Sequence, residues 1–295
     1  MKNKTLVIVS IIILSVLATG LTVFMIFMLH GNFRFRNFTM FQTVSKHLAF
    51  EEIYEEDFRE IHFNVGSGDI LIKESTDDKI KVLVYGDEED IQVESRDEQL
   101  KIDVKDKDCH FICFKRTISK VEVYLPSDYN HLIQIENNYG DTEIAKFLNA
   151  EIDIEQKYGD VSIDGGKNID IQNDYGDIKI NQVGDVDIKC SAGDVVIGTV
   201  SNLVVKNNYG DVDVQKVENY LNIEEDCGEV NIREVNLGRD SSIKNSYGDI
   251  EIGFTNEIYI DASTSLGDVT VRKNYPKSDV TLTMKNSCGD IEVNN

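Results

Sequence analysis

One eight-residue stretch recurs along most of this chain and constrains its fold more than any other feature. It reads NNYGDVDV at 207–214, and close variants are NDYGDIKI at 173–180, NSYGDIEI at 245–252 and NSCGDIEV at 286–293. A solenoid is predicted, because units of about 20 residues are too small to bury their own apolar faces and do so by stacking. Aligned on its glycine, the motif occurs nine times at intervals of 17 to 22 residues: Gly140, Gly159, Gly176, Gly193, Gly210, Gly228, Gly248, Gly267 and Gly289.

Apolar residues occupy fixed positions in every unit. They recur two and four positions after the glycine, as in Val212 and Val214, and five and seven before it, as in Val205 and Leu203. Such alternation of β-branched residues is typical of strands. Each coil is therefore predicted to contain two short strands joined by the motif's turn. Stacked about 4.8 Å apart, the coils would form two facing parallel sheets.

The polar residues of the motif are also predicted to stack. The asparagine three positions before the glycine has inward parity, and the tyrosine before the glycine stacks from coil to coil. The acidic residue after the glycine has outward parity, and a column of such residues costs about 0.9 kcal/mol per neighbouring pair in bulk water. Hydrogen bonds from turn amides would offset this cost, and calcium or another cation between the coils is the alternative. The column comprises Asp141, Asp160, Asp177, Asp194, Asp211, Glu229, Asp249, Asp268 and Asp290.

The N-terminal region contains a long uncharged segment. Residues 5–29 carry no charge over 25 positions, whereas about 20 helical residues suffice to cross a bilayer. A transmembrane helix is predicted, and a cleaved signal peptide is the alternative, although the segment is longer than a usual signal core. We expect a single-pass protein of the cell membrane with its N-terminus inside and its body extracytoplasmic.

The body is strongly acidic. Residues 1–46 contain five basic residues and no acidic one, which leaves 25 basic and 53 acidic residues and a net charge of about −28 for the rest. Nucleic acid and anionic lipid are therefore poor candidates for direct partners of the body, and cations and cationic partners are better ones.

Four segments follow from this interpretation. Residues 1–37 are the N-terminal tail and transmembrane anchor, 38–59 a connector with partly helical character, 60–128 a β-rich cap of antiparallel strands, and 129–295 the β-solenoid repeats. Insertions fall only in the connections between coils, and this marks the face most free to acquire binding. The C-terminal end shows no cap in the sequence, so its last coil is expected to be an edge open to self-association.

No group of residues indicates catalysis. The outward positions three after each glycine show no local cluster, and none of the five histidines has a nucleophile or ligand set beside it in the sequence. The block CHFIC at 109–113 does not have a zinc-site spacing and is interpreted as a buried or hairpin cysteine pair. Cys227 and Cys288 are expected three coils apart, too far for a disulfide. We therefore assign no catalytic, cofactor-binding or metal residue.

The segment GSGDILI at 66–72, the serial YGD units and the single N-terminal apolar segment resemble the bacterial putative-adhesin domain family, which includes envelope-stress-associated membrane proteins of Gram-positive bacteria. The resemblance covers about residues 50–295. It implies an extracytoplasmic β-solenoid that acts as a non-catalytic interaction module at the cell envelope, with an envelope protein or wall polymer as its partner. Two alternatives remain: a self-assembling scaffold that resembles bactofilins, and a carbohydrate-active β-helix enzyme.

Overall fold

The computed structural model describes residues 42–105 and 116–294, and Gln42–Asn295 form one compact unit. Apart from a 3-10 turn at Glu88–Asp90, the regular elements of the described residues are strands. In chain order they are β1 Gln42–Val44, β2 Leu48–Tyr54, β3 Glu60–Val65, β4 Gly68–Glu74, β5 Ile80–Tyr85, β6 Ile91–Arg96, β7 Gln99–Val104, β8 Arg116–Leu125, β9 Leu132–Tyr139, β10 Thr142–Lys146, β11 Glu151–Tyr158, β12 Val161–Tyr175, β13 Ile178–Ala192, β14 Val195–Tyr209, β15 Val212–Cys227, β16 Val230–Val235, β17 Ser241–Tyr247, β18 Ile250–Phe254, β19 Tyr259–Leu266, β20 Val269–Val271, β21 Thr281–Cys288 and β22 Ile291–Asn294.

The predicted parallel β-solenoid is confirmed, with the nine motif-bearing coils stacked in register. Ile152 pairs with Ile169, and Ile169 pairs in turn with Val186 one coil further on. The predicted inward positions are buried throughout the central coils, because alternate residues of a strand share one face. Each coil is named below by its motif glycine.

A third inward position lies in the connection between coils. Strands β12 to β15 each continue from one turn of the solenoid into the next, so they are 15 or 16 residues long. The residue seven positions after the glycine is buried there and closes the core on a side that two facing sheets would leave open. This position is filled by Phe147, Val183, Val200, Val217 and Val235.

The C-terminal coils do not stack in chain order, and this corrects the expected edge. β17 pairs with β21, and β21 pairs with β19 on its other side. The Gly289 coil is therefore inserted between the Gly248 and Gly267 coils. The connection at 272–280 is long enough for the chain to pass over one coil. The open edge therefore belongs to β19 and β20 rather than to the last strand of the chain.

The N-terminal end shows a similar inversion. β3 lies between β7 and β9, and β4 lies between β8 and β10, all in parallel register. Two layers of the region expected to be an antiparallel cap thus continue the solenoid. Among the described strands, the antiparallel pairs are β2 with β5, β5 with β8 and β6 with β7, and β2, β5 and β6 cover this end. β1 and β2 also show that the segment expected to be partly helical is extended from residue 42 onwards.

The turn of each coil is built around its glycine. Gly176 has a φ of 139°, which residues with side chains rarely adopt, and a Cβ there would lie 1.9 Å from the carbonyl oxygen of Gly159. Close stacking of turn on turn therefore requires glycine. Buried Asn173 donates from Nδ2 to the carbonyl oxygens of Gly159 and Gly176 at 3.3 and 3.0 Å, and Asn137 and Asn207 bridge their turns in the same way.

Other sequence expectations have mixed outcomes. Tyr139, Tyr158 and Tyr175 stack as expected, with ring centroids 5.0 and 5.2 Å apart. Cys227 and Cys288 each pair with Tyr247, so they lie two coils apart rather than three, and both are free.

Within the described part of the chain, no helix has the length and apolarity needed to cross a bilayer. The apolar segment 5–29 and the CHFIC block lie outside the described residues.

Candidate binding groove

The strands that precede the motif glycines carry two outward columns of polar residues. Six positions before the glycine, Asp153, Asp170 and Asp187 follow one another in register on β11, β12 and β13. A second column, eight positions before the glycine, runs beside them and contains Glu151, Asn168, Asp185, Asn202 and Tyr220. Both columns point outward because the inward isoleucines and valines alternate with them. The columns line a groove of about 440 Å³ that extends from Leu132 to Tyr220 and Arg239.

The second column is held by its own side-chain contacts. Asn202 donates to Asp185 and accepts at Oδ1 from Asn219 at 2.7 Å and from Arg239 at 3.4 Å. The Arg239 guanidinium also lies 4.0 Å from the centre of the Tyr220 ring, which fixes that end of the groove. These contacts make this column a preformed wall.

The three stacked aspartates differ from the wall column. Among the described residues, no basic side chain forms an ion pair with Asp153, Asp170 or Asp187. Burial raises the pKa of the Asp153 and Asp187 carboxyls, and the charge of Asp170 between them raises it further, whereas the charge of Lys189 lowers that of Asp187. Partial desolvation and mutual repulsion are both relieved when a cationic group binds between such carboxylates. The arrangement is therefore suited to amino or guanidinium groups.

The acidic column after the glycines has a different role. Asp160 Oδ1 accepts the backbone N–H of Asp177 at 3.0 Å, and Asp177 accepts that of Asp194 in the same way. The predicted stabilisation by turn amides is therefore confirmed, with the amide supplied by the next coil. Asp69 of the GSGDILI segment joins this column by accepting from Asp141 N at 3.1 Å. Except at Glu229 and Asp268, each carboxylate of the column thus fastens one coil to the next.

The remaining candidate chemistry is dispersed. His62 lies beside Glu136 at 3.6 Å and His131 beside Asp57 at 3.4 Å, and neither histidine lines the groove. No group of three or more histidine, cysteine or acidic side chains is placed to hold a metal ion within 42–105 and 116–294. The connections between coils, which the sequence analysis marked as the face most free to bind, contribute Arg239 and the whole second column to the groove, and the adjoining strand residues contribute the rest.

The sequence carried a signal for this groove that the analysis of the motif missed. The segments EIDIE, NIDIQ and DVDIK place an aspartate between two inward residues in three consecutive coils. This repeated aspartate, six positions before the glycine, indicates an outward acidic column, although only the structure shows that Tyr220 and Arg239 close one end of the groove.

The fold and the groove define an acidic parallel β-solenoid with a polar groove on its outer face. The chain belongs to the Toastrack DUF4097 family, whose model matches residues 58–295. This match confirms the resemblance to the putative-adhesin family, a name that several similar solved structures carry. A comparison with curated proteins finds no match.

Three solved structures are similar to this chain. A putative adhesin from Bacteroides fragilis is 18% identical, with 86% of this chain and 99% of that chain covered and a TM-score of 0.46. A putative lipid binding protein from Parabacteroides distasonis is 16% identical, with 86% and 100% covered and a TM-score of 0.43. A putative adhesin from the same organism is 13% identical, with 85% and 99% covered and a TM-score of 0.39.

Proposed function

We propose that this protein is a membrane-anchored, extracytoplasmic, adhesin-like β-solenoid that serves as a non-catalytic interaction module at the cell envelope, in the setting of envelope stress. Its partner is an envelope protein or wall polymer that presents positively charged groups. The observation that carries this proposal is the groove, in which three stacked aspartates form no ion pair among the described residues and lie beside a fixed polar wall.

The spacing of the aspartates along the groove determines how the positive groups of a ligand must be spaced to contact several of them at once. One carboxylate per coil gives a repeat of about 4.8 Å along the solenoid, so an extended ligand with closely spaced amino groups can contact several coils at once. Each contact is partly exposed and worth little alone, and affinity arises from their number. Binding of this kind should weaken as salt concentration rises.

The groove can be tested with a defined cationic probe. We expect the full chain to bind a ten-residue lysine peptide in a salt-dependent manner and not to bind a ten-residue glutamate peptide. The triple substitution Asp153→Asn, Asp170→Asn and Asp187→Asn should weaken lysine-peptide binding by about tenfold or more, because it removes three adjacent contacts. Isothermal titration calorimetry at two salt concentrations measures the change.

A matched variant separates the groove from the overall charge. Glu143→Gln, Asp213→Asn and Glu251→Gln remove the same three charges from exposed outward positions three after the glycine, on the opposite sheet. We expect this control to bind the lysine peptide nearly as the wild type does. Equal loss in the two triple variants would contradict the groove as the binding site.

A further inference from the structure

The outer edge formed by β19 and β20 is only partly covered. At the start of β19, Asn274 from the following loop accepts the N–H of Ile260 at Oδ1 and donates from Nδ2 to its carbonyl oxygen, both at 2.9 Å. This side chain replaces a missing strand at one residue. Beyond it, in the described part of the chain, β19 pairs only with β21 and β20 only with β22.

An inward apolar side chain is left exposed at this edge. Val269 is 41% exposed, whereas Val195 and Val212, which occupy its position in inner coils, are fully buried. Leu266 is also exposed, as are tyrosines that fill its position in inner coils. Unpaired edges with exposed apolar residues are templates for further strand pairing. This edge can therefore pair with a further strand that matches its apolar and charged residues.

The sequence of β20 and its two neighbours is arranged to pair with itself. Asp268, Val269, Thr270, Val271 and Arg272 place opposite charges symmetrically about Thr270. In antiparallel pairing centred on Thr270, Asp268 lies opposite Arg272 of the second copy and Val269 opposite Val271. Parallel pairing in register would instead place like charges side by side, which is unfavourable.

The contacts within the chain leave the charges of Asp268 and Arg272 able to contact a second copy. The aspartates of inner coils accept an amide from the next coil, but among the described residues no coil follows Asp268 to donate to it. Arg272 contacts Glu292 through one nitrogen at 3.0 Å, and its side chain is still largely exposed. Arg272 can therefore bridge Glu292 of its own chain and Asp268 of a second copy.

We propose that two copies of this chain form a two-fold symmetric dimer through β20, with the strands antiparallel and centred on Thr270. The valines of the two copies then lie on one face and cover each other, and the two Asp268–Arg272 pairs lie on the other. β20 has three residues, so the dimer is weak and concentration-dependent. No groove residue lies in β19 or β20, so each dimer presents two grooves and gains avidity for a repetitive ligand.

Disulfide trapping at the two-fold axis tests this geometry in the full chain. Opposite residues of an antiparallel pair have Cα atoms about 4.5–5.5 Å apart, within disulfide range. We expect Thr270→Cys to give a disulfide-linked dimer on mild oxidation. Thr283→Cys, on the inserted strand β21, should give no more than the parent chain with its native cysteines.

Charge reversal tests the register. In the Thr270→Cys background, Asp268→Arg or Arg272→Asp alone should lower the dimer yield roughly three- to tenfold, because each places like charges opposite each other twice. The double reversal Asp268→Arg/Arg272→Asp should restore it. Failure of Thr270→Cys to cross-link, failure of the double reversal to restore the yield, or capture of a different protein instead of a second copy would each overturn the proposal. Lysine-peptide binding in the same variants reports separately on the groove.

Discussion

At the residue scale, one of the buried residues three positions before a motif glycine is an acid, whereas its neighbours in the stack are asparagines. Glu225 occupies the slot that asparagine fills in the adjacent coils, where Asn207 and Asn245 donate to glycine carbonyl oxygens. Its Oε1 accepts the N–H of Cys227 at 3.1 Å, and its buried Oε2 accepts no hydrogen bond from any residue that the structure describes. Burial raises the pKa of this carboxyl from 4.5 to about 7, so near neutral pH it gains the proton that makes it a donor like the asparagines.

This raised pKa predicts a pH-dependent stability. The native state binds the proton more tightly than the unfolded chain, so the contribution of Glu225 is fully present below about pH 4.5 and is lost as pH rises through about 7. Glu225→Gln supplies a permanent donor, and we expect it to raise the free energy of unfolding above pH 7 by on the order of 1–3 kcal/mol. Urea denaturation of both proteins between pH 5 and 8 measures the difference. Parallel curves for the two proteins would refute the assignment.

At the element scale, the inserted coil supports the coil that precedes it in the chain. β19 and β20 pair only with β21 and β22 in the described part of the structure. Gly289 has a φ of 135°, and a Cβ there would lie 2.2 Å from the carbonyl oxygen of Gly248. Gly289→Ala should therefore release both terminal coils. We expect loss of amide protection at 259–271 as well as 281–294, measured by hydrogen exchange.

Gly267→Ala is the matched control for this prediction. A Cβ at Gly267 would lie 2.2 Å from the carbonyl oxygen of Gly289, so the clash is similar but lies at the end of the stack. Protection should be lost at 259–271 and largely retained at 281–294, which still pairs with the Gly248 coil. The opposite pattern would mean that the coils stack in chain order.

At the scale of the whole molecule, the proposed function requires the acidic body to lie outside the cell. Lys273 and Lys277 are exposed in the loop after β20 and offer sites for trypsin. We expect trypsin to cleave the body in intact cells, with disrupted cells as the control that the fold can be cut. Cleavage only after disruption would place the body in the cytoplasm, contradict the envelope module and favour the self-assembling scaffold.

The sequence alone determined the structure of the single coil. Inward residues such as Ile169 and Ile171, the turn at Gly176 and the buried Asn173 all follow from a period that repeats within each coil, because strand alternation and turn geometry are local properties. The third inward position at Val183 was equally present in the sequence, but it lies in a connection of variable length where the period is hard to recognise.

The tertiary structure alone decided which coils are neighbours. Every coil presents a similar inward pattern and a similar edge, so the repeat does not specify whether the Gly248 coil pairs with the Gly267 or the Gly289 coil. That choice depends on long-range parallel pairing and on the reach of the 272–280 connection. The groove was likewise beyond local reasoning, because it exists only where side chains of six stacked coils and Arg239 come together in space.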